Sequence, residues 1–139
     1  MHLPRWMRMA MLATAAMNLL GAGALLPAGE RVRSLVGLPP DVHPVYLLTI
    51  ASFVVVFGAA YAWCGLTGRA DGQFLAVAAA GKLSFVVVLM AFWLTGDLPI
   101  TAPLAGIGDL VFGGLFLIWL LRSWRSRSGS DASTLPVTG

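Results

Sequence analysis

Apolar residues fall in four long blocks, at about residues 7–27, 45–66, 73–95 and 100–121, and most of the charge lies outside them, in the connections and the terminal segments. About 20 apolar residues match the hydrocarbon core of a bilayer when helical. Backbone polar groups inside lipid must also be satisfied within the segment. The pattern therefore predicts an all-α fold, an integral membrane four-helix bundle with both termini cytoplasmic. Residues 1–127 form the single unit, and a small, polar tail over 128–139 is expected to be disordered. The run Val54-Val55-Val56 would favour a strand in water, but the length of its block makes it a helix.

In the first block an apolar run from about Met9 to Leu26 follows Arg5 and Arg8 and ends at Pro27, a pattern shared by a first membrane helix and a signal peptide. Ala22-Gly23-Ala24 has the small-x-small form of a cleavage site. Ala10, Thr14, Asn18 and Ala22, however, recur at i+4 and make a small and polar stripe down one helix face, which favours an uncleaved helix. The connection from Ala28 to Pro44 is polar and proline-rich. Within it Arg31 to Val36 is expected to form a short interfacial turn ended by Pro39-Pro40. Tyr46, Tyr61 and Trp63 lie towards the ends of the second block, as interface anchors do. A glycine-bounded turn, Thr67 to Gly72, leads to the third block, where Ala76, Ala80 and Ser84 form a second small-residue stripe. In the fourth, Gly106, Gly113 and Gly114 permit close helix approach, and Arg122 to Arg127 ends it. Leu135-Pro136-Val137-Thr138-Gly139 has the LPxTG form of a cell-wall sorting signal, but the apolar stretch and basic end of that signal do not follow, so coincidence is expected.

Composition strengthens the membrane reading, with 58% hydrophobic and 11% charged residues. The net charge of +3 comes from arginines at block ends, a topology signal with no nucleic-acid footprint. Arg5, Arg8, Arg69, Arg122, Arg125 and Arg127 fall on one side and only Arg31 and Arg33 on the other, which places both termini in the cytoplasm. The single cysteine, Cys64, excludes an internal disulfide or a multi-thiolate metal site and reads as a small buried hydrophobe. His43 lacks a second imidazole nearby and reads as a solvated loop residue. No metal or other cofactor is implied.

Two charges stand inside the apolar blocks: Lys82, the chain's one lysine, and Asp109. Buried ionisable groups in membrane helices are costly and generally face a partner or a cavity. Counting rise per residue from the cytoplasmic side puts Lys82 at about 13 Å, Asn18 at about 16 Å and Asp109 at about 18 Å, close to one level. Neighbouring helices lie about 8–10 Å apart, so Lys82 reaches Asp109 if the third and fourth helices adjoin. The candidate ligand-binding residues are Asn18, Tyr61, Lys82, Ser84 and Asp109, with Phe85, Leu89, Phe112 and Phe116 as walls. The same pair is also consistent with a plain register device holding two helices.

Four short spans with Gly81-Lys82 in the third and Gly108-Asp109-Leu110 in the fourth resemble the DoxX-like small bacterial membrane proteins. That resemblance implies a lipophilic small-molecule pocket and an accessory role at a membrane redox system. A binding or accessory protein for a lipid or quinone, working alone, as a homo-oligomer or beside another membrane protein, is the leading expectation. The alternatives are an enzyme on a lipid-soluble substrate acting through Asp109 and Lys82, and a small multidrug-type transporter. No serine–histidine, paired-carboxylate or thiolate arrangement assigns a catalytic residue. A lysine that already neutralises the acid disfavours cationic cargo.

Overall fold

A computed structural model describes residues 1–38 and 42–131, the last six without their side chains. Regular structure among the described residues is helical, apart from an isolated bridge between His2 and Arg69. The helices are α1 (Arg5–Leu25), α2 (Glu30–Leu35), α3 (Pro44–Thr67), α4 (Gly72–Leu94), α5 (Thr101–Ala105) and α6 (Ile107–Asp131), with one 3-10 turn at Pro27–Gly29. Four of them, α1, α3, α4 and α6, are long and apolar enough to cross a membrane.

Local chemistry sets their ends. Leu26, forced out of the helical region by the following Pro27, stops α1 in an extended conformation. Pro44 opens α3, where a missing N–H costs nothing, and His43 accepts from the Val45 N–H as its cap, so this histidine has a structural task. Gly68, at φ 69°, ends α3 in the left-handed region that glycine enters without penalty. Asp71 caps α4 by accepting from Gln73 N–H at 2.7 Å.

The expected fourth helix is broken. Pro103 has no N–H to offer the carbonyl four residues back, and the Gly106 N–H is shared between Ala102 and Pro103 carbonyls at 3.3 and 3.0 Å. That tightened turn closes α5, and α6 begins afresh at Ile107. At its other end α6 continues to Asp131, so residues 128–131 of the expected tail are helical, since extending an existing helix needs no new nucleus. Residues 132–139, with the LPVTG sequence, and Pro39-Pro40 lie outside the described residues.

The helices assemble as two antiparallel hairpins, α1 on α3 and α4 on α6. In the first, Arg8 meets Gly65 and Leu66 while Asn18 meets Val54. In the second, Gly72 adjoins Leu120 and Gly106 adjoins Leu89. Glycines set the closeness: a Cβ on Gly65 would fall 2.8 Å from the Leu12 side chain, and one on Gly113 only 3.1 Å from Lys82 Cβ. The chain start lies against the α3–α4 turn, with Leu3 N–H donating to Gly68 and Ala70 N–H donating to Met1. Trp6 on α1 stacks edge-to-face on Trp119 of α6, which brings the end of the fourth long helix to the same side.

Packing is uneven along the bundle. The largest fully buried side chains, Phe116, Met7, Met11, Leu75 and Thr14, all lie between the Lys82 level and the end that holds the chain start. Beyond that level the buried apolar side chains among the described residues are the alanines Ala22, Ala51 and Ala102. The Ala76–Ala80–Ser84 stripe does not serve as an interface, because Ala80 and Ser84 are exposed; α4 instead presents Leu75, Ala78, Ala79 and Lys82 inward. Small size permits close approach but does not choose the face, and the charge at Lys82 does.

Two arginines counted above as topology signals also cap neighbouring helices. Arg8 donates through Nε and Nη2 to the Gly65 and Leu66 carbonyls at the end of α3, at 2.9 Å each. Arg33 donates to Ala24 and Leu26 at the end of α1. A cation at a helix C-terminus satisfies carbonyls that have no intrahelical partner and complements the dipole. Replacing Arg8 by Gln should destabilise the bundle by about 1–2 kcal/mol, with Arg8→Lys recovering only part. Thermal unfolding in detergent checks this, and an unchanged Tm for Arg8→Gln would show that the caps contribute nothing.

Candidate functional site

One side chain from each long helix meets at mid-bundle: Asn18 from α1, Tyr61 from α3, Lys82 from α4 and Asp109 from α6. Lys82 is their hub. Its ammonium donates to Asp109 Oδ1 at 2.6 Å and to Asn18 Oδ1 at 3.4 Å, and it lies 5.6 Å from the centre of the Tyr61 ring. The lysine is 6% exposed and the aspartate 21%. Asn18 is oriented from its other side, since its Nδ2 donates to the Val54 carbonyl at 3.1 Å. The asparagine thus ties the α1–α3 hairpin to a cation carried by the other hairpin. Among the described residues this is the one ion pair whose two side chains are both largely withdrawn from the surface.

The break before α6 bears directly on the site. Because α6 starts at Ile107, Asp109 occupies its first turn, where unpaired N–H groups and the helix dipole favour a carboxylate. Asp109 therefore has two sources of stabilisation, the Lys82 ammonium and the helix start. Its second oxygen, Oδ2, has no hydrogen bond to a described residue. The aspartate side chain is 21% exposed, and Oδ2 is not a fully buried orphan; the one fully buried side-chain polar atom lacking a partner among the described residues is Trp119 Nε1.

Tyr61 belongs to the core rather than to an interface belt. It is 2% exposed, and its ring packs on Phe57, Phe74 and Phe116. Tyr46 and Trp63, its expected companions, are exposed. Together with Phe112 and Phe116, this aromatic group makes a filled floor under the polar cluster. Phe74 was not among the expected walls, and only its spacing of eight residues before Lys82 on one helix face could have found it. Ser84 does not join the site: two positions after Lys82, it is turned to the opposite face of α4 and is exposed. Phe85, expected as a wall, is half exposed, whereas Leu89 lies against Gly106.

Two open concavities among the described residues lie elsewhere. One is lined by Trp63, Thr67 and Arg69, and the other includes Asp71, Gln73 and Trp124. No group of three or more His, Cys, Asp or Glu side chains gathers among the described residues. In comparisons with protein-family models, curated proteins and solved structures, nothing matches the chain.

The surroundings of the two charges differ, and this predicts unequal consequences of removing them. Asp109→Leu strands a lysine that is almost fully buried. Lys82→Met strands a carboxylate that keeps the helix start and some exposure. Breaking a buried pair from one side costs about 3–5 kcal/mol. Asp109→Leu is expected to lower the Tm in detergent more than Lys82→Met, and the double variant should lie above both. A double variant less stable than either single would contradict the pairing.

Proposed function

We propose that the chain is a multi-pass protein of a bacterial inner membrane, with both termini cytoplasmic, that binds a lipophilic or amphiphilic small molecule at the Asn18–Tyr61–Lys82–Asp109 cluster. The positions of the chain start, the α3–α4 turn and the end of α6 at one end of the bundle agree with the arginine count that puts this end in the cytoplasm. The observation that carries the binding role is the asymmetry about the cluster. Below it, large side chains fill the bundle; above it, the buried apolar side chains are alanines. A polar base with an apolar approach suits a molecule with one polar head and a hydrocarbon body, as in lipids and quinones.

An accessory or carrier role follows more directly than turnover. Both ions of the pair are held by partners, and among the described residues no group of three or more His, Cys, Asp or Glu side chains gathers to complete an acid–base or nucleophilic set. The resemblance to DoxX-like proteins supports the same direction, an auxiliary subunit in a membrane redox system. Purification in a mild detergent, followed by native mass spectrometry and an experimental structure, should show one amphiphile per chain with its head at the cluster. A bundle whose outer half is filled by its own side chains, carrying no co-purified molecule, would overturn the proposal.

A further inference from the structure

Donor and acceptor accounting at the cluster points to the kind of head group it selects. Lys82 has three N–H bonds, of which two go to Asp109 Oδ1 and Asn18 Oδ1; with the Tyr61 ring 5.6 Å from the ammonium and the lysine only 6% exposed, little of it is open to a bound molecule. The Asn18 amide retains one N–H beyond its bond to Val54, and Tyr61 contributes a hydroxyl with no hydrogen bond to a described residue. These are neutral groups. The unmatched charged atom is Asp109 Oδ2, which is an acceptor only, and hydrogen bonds to an ionised acceptor are about twice as strong as neutral ones. A cationic head would gain little, because Lys82 at 2.6 Å already balances the carboxylate.

We infer that the molecule held here is a neutral amphiphile whose head donates an O–H to Asp109 Oδ2: an alcohol, a phenol or a hydroquinone, in preference to an acceptor-only head of the same shape. This rests on the binding role proposed above and goes beyond it, since a pocket defined only by apolar fit would not distinguish the two. Lys82 then acts as a positioning residue. It occupies Oδ1 and leaves Oδ2 as the oxygen without a hydrogen bond to a described residue.

Decylhydroquinone and decylquinone make the test, because they share tail and ring and differ in whether the head donates. With the full chain in neutral phospholipid nanodiscs, the hydroquinone, kept reduced, is expected to bind at least about tenfold more tightly, the worth of one charge-assisted hydrogen bond. Its binding should also shift the carboxylate infrared band of isotope-labelled aspartate, and the quinone should not. Asp109→Asn should abolish the preference and Ser84→Ala should keep it. If Asp109→Asn fails to fold, the infrared shift in the parent chain decides. Equal or tighter quinone binding with no carboxylate shift would overturn the inference and leave the pocket intact. Binding of neither molecule, with a dry bundle centre, would overturn the pocket as well.

Discussion

Two opposite charges set among long apolar helices leave few arrangements open. Each must reach the other, and the helices that carry them must lie close enough for a lysine stem to span the gap. Lys82 meets this condition through Gly113, which lets α6 approach the base of the lysine side chain. The 2.6 Å contact with Asp109 then fixes the register of the α4–α6 hairpin. Asn18 extends the constraint to the other hairpin, since its amide joins Lys82 on one side and the α3 backbone on the other. The aromatic floor beneath follows from this register, with the Tyr61 ring packed on both Phe74 and Phe116.

Such pairs are not a general source of stability, because desolvation offsets much of the attraction. Here a backbone feature reduces that cost. Pro103 and Gly106 interrupt the helix just before Ile107, so Asp109 sits in the first turn of α6, where the helix dipole favours negative charge. A straight helix through residues 100–121 would have placed the acid mid-helix without that support. The break also leaves Asp109 partly open while Lys82 is enclosed, and this asymmetry gives the cluster an acceptor to offer.

Much of this was legible in the sequence. Block length identified the four long helices, and counting rise per residue brought Asn18, Lys82 and Asp109 to one level, as their contacts bear out. The glycine and proline positions marked the ends of α1 and α3. Other features were not legible, for physical reasons. Ser84 shares a small-residue stripe with Ala76, but in an almost uniformly apolar helix nothing in the pattern marks the inward face except the charge, and Lys82 points the other way. Tyr61 sits near a helix end, where tyrosine usually anchors an interface, and only tertiary packing moves it into the core. Arg8 and Arg33 act on helix ends distant in sequence, so their capping roles depend on hairpin geometry. The break before α6 did have a signal, Pro103 followed by Gly106, which the continuous hydrophobicity of the block concealed.

The single lysine makes the central claim directly measurable. With lysine labelled at 15Nζ and aspartate at 13Cγ, solid-state NMR of the chain in lipid bilayers reports one nitrogen against the aspartate carboxyl carbons. The account predicts a strong dipolar coupling to one aspartate, lost in Asp109→Asn prepared with the same labels, with a nitrogen–carbon distance of about 3.5 Å for a direct charge-assisted hydrogen bond. A lysine nitrogen with no short distance to any aspartate carboxyl would contradict the pair, and with it the register and the site built on it.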